Sequence, residues 1–266
     1  MLSLIATYLV LGAAAGVAAG LFGIGGGLLI VPVLVVMFAS QGMPSEIATH
    51  MAVATSLATI VVTSTSSIMA HQKRGAIEWP LFKPLALGIL VGAVIGVKVA
   101  AQLQGHHLQL VIGVFALCVS VQMAFSLTPP VNQGVASRKE LTGAGVVIGS
   151  LSALFGIGGG TLSVPYLSWR RVAMQRAVAT SAACGLPIAL FGALANVVEG
   201  WGHPSGVAWS LGFVYLPAFF GIILTSALFA KVGAKLAHQL SEVMLKRVFA
   251  AFLAIVGSYF VLSNLL

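Results

Sequence analysis

The sequence contains no aspartate, and charged residues make up only 7% of its 266 positions. A soluble domain carries about 25% charged residues, so this chain does not have the composition of one. Hydrophobic residues account for 59% of the chain, and its mean hydropathy is +1.08. The short alternating segments typical of a transmembrane β-barrel are not visible. The composition therefore predicts an all-α polytopic membrane protein in contact with the lipid bilayer.

Cysteine and metal-ligand patterns are also scarce. Cys118 and Cys184 both lie in apolar segments, which argues against a structural disulfide and against a metal site. We expect no cofactor, and because neither an HExxH sequence nor a paired acid and base occurs at membrane depth, we expect no enzymatic activity. The 13 Lys and Arg residues give a net charge of +8. They sit in short loops, where they set membrane orientation rather than bind nucleic acid.

One motif of fourteen residues occurs twice. LFGIGGGLLIVPVL at 21–34 returns as LFGIGGGTLSVPYL at 154–167, with eleven identical positions. The sequence VATS at 53–56 returns at 178–181. Internal repeats of this kind are typical of secondary transporters. We therefore divide the chain into a first transmembrane repeat, a cytoplasmic linker and a second transmembrane repeat: 1–127, 128–140 and 141–266.

Each repeat begins with an overlong apolar region that contains GIGGG, at 5–40 and 141–168. Three ordinary spans follow in each repeat: 48–70, 82–103 and 108–126, then 175–197, 209–232 and 245–264. About 20 residues suffice for one crossing, so 5–40 is too long for a single span.

The basic residues favour a reversal of the chain at GIGGG. A single crossing of each overlong region divides them eight to five between the two membrane faces, whereas a hairpin leaves only Lys98 opposite the other twelve. The positive-inside rule prefers the hairpin. The prediction is two inverted repeats, each with a Gly-turned helical hairpin plus three spans, or 8–10 transmembrane segments according to how deeply the hairpin arms reach.

The glycines of the hairpin predict an anion site. Glycine is about 1 kcal/mol less favourable than alanine inside a helix, so GIGGG should break the helix. The helix that follows begins with N–H groups that lack intrahelical partners and carry about half a positive charge. Such a helix start binds anions without Lys or Arg, and in inverted repeats two such starts converge near the bilayer midplane.

Hydroxyl side chains near the breaks supply further donors, among them Ser163. The candidate substrate-binding residues are Gly25, Gly26, Gly27, Gly158, Gly159, Gly160, Thr161, Thr55, Ser56, Thr180 and Ser181. The structural alternatives are close packing through glycine and hydroxyl bonds to the helix backbone. Both alternatives stay open, as does the use of the ladder Gly88, Gly92 and Gly96 for a homodimer or for internal packing.

The doubled GIGGG…VP motif, followed each time by VATS, resembles the TauE/SafE family, also called the toluene sulfonate uptake permease family. The family motif corresponds to these residues: Gly23, Gly25, Gly26, Gly27 and Pro32, and Gly156, Gly158, Gly159, Gly160 and Pro165. The resemblance implies a multi-pass permease of the inner membrane for sulfur-containing anions such as sulfite or an organosulfonate.

Energetics favour export over uptake. One charge moved across 100 mV is worth about 2.3 kcal/mol, so an anion leaves a negative cell interior without a coupling ion. The alternatives are an uptake permease for organic anions coupled to H⁺ or Na⁺, and a passive anion channel.

Overall fold

In the computed structural model, residues 2–22, 27–125, 137–201, 207–237 and 242–265 are described. They form ten α-helices and one short hairpin of two strands. In chain order these are α1 Leu2–Phe22, α2 Gly27–Ser40, α3 Ser45–Lys73, α4 Trp79–Gln102, α5 Gly105–Ala124, α6 Arg138–Phe155, α7 Gly160–Trp169, α8 Met174–Trp201, β1 Ser210–Leu211, β2 Val214–Tyr215, α9 Leu216–Ala237 and α10 Glu242–Leu265. The all-α polytopic prediction is confirmed.

Five segments within these helices are long and apolar enough to cross a bilayer on the described residues alone: α3, α4, α5, α8 and Arg247–Leu265 of α10. The arms of the two hairpins are unequal in length. α1 has 21 residues and α6 has 18, whereas α2 has 14 and α7 only 10. At a rise of 1.5 Å per residue, α7 extends about 15 Å, half of the hydrocarbon core.

Both overlong regions are helical hairpins, as side-chain contacts between the distant ends of their arms demonstrate. Tyr8 in α1 donates its hydroxyl to Oε1 of Gln41, just after α2, at 3.0 Å. In the second region Arg170, just after α7, pairs with Glu140 in the first turn of α6 at 3.2 Å. Each region therefore enters and leaves the fold on the same side.

Gly156 makes the reversal between α6 and α7. Its φ of +67° and ψ of +29° lie in the left-handed region, which glycine enters without the steric cost that a Cβ imposes. Residues 156–159 separate the two helices. The matching segment between α1 and α2 is 23–26, which lies outside the described residues.

α3 and α8 run in opposite directions. Arg176, in the first turn of α8, forms an ion pair with Glu78 in the short segment after α3. Conversely, Tyr215 in β2, after α8, donates its N–H to Thr55 in the first half of α3. We call the side on which α3 ends and α8 begins the basic face, since Lys73, Arg74, Arg138, Arg170 and Arg171 also lie at helix ends there.

Helices of one half pack against helices of the other half, and each such contact has an equivalent in which the two halves change places. α1 packs on α9 as α6 packs on α4, while α3 packs on α8 and α5 on α10. This exchange pattern is the one expected of a pseudo-two-fold repeat. Together with the antiparallel α3 and α8, it is what inverted repeats require, and the inversion of the complete halves stays a prediction.

The glycine ladder of α4 packs within the protein. Its members lie against carbonyl oxygens of α6, in this order: Gly88 on Thr142, Gly92 on Val146 and Gly96 on Ser150. A Cβ added at any of the three would lie 2.0 to 2.1 Å from that oxygen. Internal packing therefore explains the ladder, and its spacing gives no separate support for a homodimer.

The segment before α9 differs from the expected span at 209–232. Ser210 and Leu211 pair with Tyr215 and Val214 as an antiparallel hairpin. Gly212 turns it with a φ of +57°, and a Cβ there would lie 2.4 Å from the carbonyl oxygen of Val197. α9 therefore begins only at Leu216, after the hairpin. Tyr215, at the end of the hairpin, contacts Thr55 of α3.

Candidate anion site at the helix breaks

The two copies of the repeated motif meet inside the protein. A Cβ added at Gly27, the first residue of α2, would lie 2.8 Å from the carbonyl oxygen of Gly156 and 3.0 Å from Cα of Ile157. The start of α2 therefore touches the break between α6 and α7. The predicted site residues Gly25 and Gly26 fall outside the described residues.

The second break is enclosed by protein. Gly158, Gly159 and Gly160 are all buried, and α7 begins at Gly160 without a side-chain cap from any described residue. The first N–H groups of a helix have no intrahelical acceptors, and the helix dipole adds partial positive charge to them. No described side chain therefore caps these N–H groups, at a point where burial makes unpaired donors costly.

Gly159 lies closely against α8. A Cβ at this position would lie 2.7 Å from the carbonyl oxygen of Ser181 and 2.9 Å from the backbone nitrogen of Gly185. Both neighbours are backbone atoms of one rigid helix, so they cannot move aside as a side chain would. Glycine is required here for close approach rather than for φ, because the φ of Gly159 is −60°.

The two VATS sequences bind the opposite repeat. Ser56 donates its hydroxyl to the carbonyl oxygen of Gly156 at 2.7 Å and so fixes the second break. Thr55 accepts from the N–H of Tyr215 at 3.0 Å, and Thr180 accepts from the N–H of Glu78 at 3.0 Å. Since Glu78 and Tyr215 immediately precede α4 and α9, the two threonines hold equivalent helix starts.

Ser181 differs from the other three hydroxyls. It is 1% exposed, and its Oγ has no hydrogen-bond partner in the described part of the chain. The hydroxyls of Thr161 and Ser163, at the start of α7, are likewise buried without a partner there. A buried hydroxyl without a partner costs about 1–3 kcal/mol, so these three donors are the side chains best suited to receive a polar ligand.

The break itself carries no formal charge, since residues 156–163 include no ionisable side chain. His50 and Arg176, which precede the two VATS sequences, lie near helix ends instead, and Arg176 pairs with Glu78. Both ring nitrogens of His50 lie within 3.1 Å of carbonyl oxygens, those of Glu46 and Ala100, where α3 begins and α4 ends. Among the described residues, no group of three His, Cys, Asp or Glu could hold a metal ion.

The three mismatches between the two motif copies are a further signal in the sequence. Leu28, Ile30 and Val33 in the first copy stand where the second has Thr161, Ser163 and Tyr166. Each change replaces an apolar side chain by one with a hydroxyl, and all three hydroxyl oxygens are buried. Tyr166 was not among the predicted site residues, because those were chosen mainly from residues that the two motif copies share.

Replacing Ser181 and Thr180 separately by alanine should separate binding from packing. Thr180→Ala removes the acceptor of the Glu78 N–H, which should cost about 1 kcal/mol of stability and lower the Tm in detergent. Ser181→Ala removes a buried hydroxyl without a partner and should leave the Tm unchanged or raise it while it weakens anion affinity. An equal loss of Tm in both variants, with affinity retained, would assign Ser181 to packing.

Comparisons with known proteins agree with this architecture. The model of the family described as Sulfite exporter TauE/SafE matches residues 8–260. A probable membrane transporter protein of Haemophilus influenzae is 37% identical over 262 residues, which cover 97% of this chain and 98% of the relative. One of Methanocaldococcus jannaschii is 28% identical over 98% of this chain and 97% of the relative. No solved structure gave a significant match.

Proposed function

This chain belongs to the sulfite exporter TauE/SafE family, and on that premise we propose that it is a secondary transporter of a small sulfur-containing anion, sulfite or an organosulfonate. The anion binds at the start of α7, where the first residue of α2 touches the second break. The protein moves it across the inner membrane without converting it chemically.

The observation that carries this proposal is the buried start of α7 with unpartnered donors around it. The N–H groups that follow Gly159 and the hydroxyls of Thr161, Ser163 and Ser181 are donors. A sulfite or sulfonate group offers several acceptor oxygens and one or two negative charges, which match such donors. A site without a fixed cation binds the anion weakly enough to release it, as transport requires.

The contacts between the halves support alternating access. α3 and α8 are antiparallel, and each half holds a helix start of the other through Thr55 or Thr180. In transporters built from inverted repeats, one repeat moves against the other around a site at their interface. The break touched by Gly27 of the first half and formed by Gly156 to Gly160 of the second lies at such an interface.

Export is the proposed direction. An anion that leaves a negative cell interior moves downhill electrically, by about 2.3 kcal/mol per charge at 100 mV. The described site offers no carboxylate for a proton relay, since residues 156–163 contain none. Uptake would require a coupling ion held by backbone carbonyls, as at other broken helices.

Flux into proteoliposomes tests the proposal. The purified protein should give saturable uptake of ³⁵S-sulfite or of methanesulfonate that responds to membrane potential and needs no H⁺ or Na⁺ gradient. Taurine, sulfate and acetate serve as competitors that define the preferred headgroup. A strict requirement for an ion gradient would make it an uptake permease, large unitary conductance would make it a channel, and no saturable flux of either anion would overturn the proposal.

A further inference from the structure

The second hairpin carries a polar stripe that the first hairpin lacks. Gly159, Ser163, Tyr166 and Arg170 are spaced by four, three and four residues, so they share one side of the helix. We call these four residues the α7 polar face. It runs from the central break to the basic face, where α7 ends.

The matching residues of the first hairpin are apolar. Ile30, Val33 and Met37 occupy the positions of Ser163, Tyr166 and Arg170. Ile30 is 3% exposed, and the other two pack partly buried against the apolar core. The backbone repeat is therefore kept while the chemistry of the helix face differs, which points to a role that only one of the two hairpins performs.

Ser163 gives the stripe a donor at depth. The residue is 0% exposed, and its hydroxyl has no hydrogen-bond partner in the described ranges. The hydroxyl is not bonded even to the i–4 carbonyl oxygen that a helical serine often uses, that of Gly159, which accepts from the Ser163 N–H at 2.8 Å. The side chain is thus placed one turn beyond the break with its donor unused.

Arg170 is the last residue of the α7 polar face and lies at the basic face. Its side chain is only 9% exposed although it carries a full charge. Its guanidinium carbon lies 4.9 Å from the ring centroid of Trp169 and 5.8 Å from that of Tyr166. Stacking on aromatic rings holds a guanidinium in a fixed orientation. A guanidinium fixed in this way can bind an oxyanion through two parallel hydrogen bonds.

Glu140 occupies the position that an anion would take beside Arg170. Its Oε1 lies 3.2 Å from the Arg170 guanidinium, while its Oε2 accepts from the Ser137 N–H at 3.0 Å in the capping box that starts α6. The side chain of Glu140 is 52% exposed, so solvent and ions reach this pair. An arriving oxyanion can therefore replace one carboxylate oxygen without dismantling the cap.

We propose that the anion travels between the basic face and the central break along the α7 polar face, and that Arg170 is the binding residue at its entrance, where the anion competes with Glu140. This inference rests on the proposed function and deepens it. The path is one-sided: Arg170 serves exchange with the basic face, and the opposite face has no equivalent because Met37 stands at the matching position.

Sidedness of the Michaelis constant tests this path. ³⁵S-sulfite flux is measured with inside-out vesicles, which expose the basic face, and with right-side-out vesicles. Arg170→Met, which installs the residue of the first repeat, should raise the KM at the basic face about tenfold, the value of one hydrogen bond to a charged group. The KM at the opposite face should change little. Ser163→Ile should lower the maximal rate from both sides.

Two further variants keep the test independent of folding. Glu140→Gln preserves the capping box, which accepts Gln as well as Glu, and should lower the KM at the basic face because Arg170 is released from a competing charge. Arg171→Gln removes the neighbouring exposed charge at the same face and should behave as wild type.

Each outcome bears on a different claim. Equal KM values for Arg170→Met and Arg171→Gln, or an unchanged KM for Glu140→Gln, would overturn the path while the transporter assignment stands. If the wild-type protein gives no saturable flux of sulfite or methanesulfonate, both the path and the proposed function are overturned.

Discussion

Gly159→Ala is expected to abolish saturable anion flux while the protein still inserts and folds. The added methyl group would lie 2.7 Å from the carbonyl oxygen of Ser181 and 2.9 Å from the nitrogen of Gly185. α7 must therefore shift away from α8, and its first N–H groups shift with it. Because a misplacement of about 1 Å in a positioned site can cost about a hundredfold in rate, we expect residual flux near the background of empty liposomes.

The measurement combines flux with a fold control. Gly143→Ala is the matched variant, because Gly143 lies on exposed α6 surface and a Cβ there meets nothing within 4 Å. It should transport like the wild type and be as stable or slightly more stable, since alanine favours a helix by about 1 kcal/mol over glycine. Wild-type flux in Gly159→Ala would rule out the start of α7 as the substrate site.

Gly92→Ala, at the middle of the ladder, is expected to give a large loss of stability. A Cβ at Gly92 would lie 2.1 Å from the carbonyl oxygen of Val146 and 2.9 Å from the nitrogen of Ser150. α4 and α6 must then move apart along the whole length of their contact, so the packing at Gly88 and Gly96 is lost as well. Overpacking of this kind costs about 1–3 kcal/mol, and the upper end applies because the obstacle is backbone.

Thermal unfolding in detergent, followed by size-exclusion fluorescence, reports the loss. Gly92→Ala should lower the Tm by several degrees or yield mostly aggregated protein, whereas Gly143→Ala should retain the wild-type Tm. If Gly92→Ala unfolds like the wild type but dissociates a dimer, the ladder would be an intermolecular surface and the internal contact would be secondary.

The membrane architecture was predictable from the sequence because the composition and the internal repeat determine it. The absence of Asp and the long apolar regions predicted an all-α membrane protein, which is confirmed. The doubled GIGGG predicted a helix break in each repeat. The second break is observed between α6 and α7, whereas residues 23–26 of the first lie outside the described residues. The distribution of Lys and Arg predicted the reversal of both overlong regions. The contacts of Tyr8 with Gln41 and of Arg170 with Glu140 agree with it.

The partners of the hydroxyl groups were not predictable from spacing. Ser56 and Ser181 hold the same position in the two VATS sequences, yet Ser56 donates to the carbonyl oxygen of Gly156, 100 residues away, and Ser181 has no partner among the described residues. That difference arises from contacts between repeats, which no local pattern encodes.

The most informative residues for function are those that break the repeat. Thr161, Ser163 and Tyr166 replace apolar residues of the first copy, and the structure gathers them at one break and along one helix. Symmetry explains the scaffold that brings two helix ends together. In the proposed path, the residues that differ between the repeats let the anion reach an uncharged site from one side, through Arg170.

Locating the bound anion tests the central claim most directly. A structure of the wild-type protein determined with selenite, the selenium analogue of sulfite, gives an anomalous peak that identifies the anion without reference to protein density. The account predicts a peak at the start of α7, within hydrogen-bonding distance of the N–H groups that follow Gly159 and of the hydroxyl of Thr161, Ser163 or Ser181. A fully occupied peak elsewhere in the membrane domain, with those donors unoccupied, would contradict it.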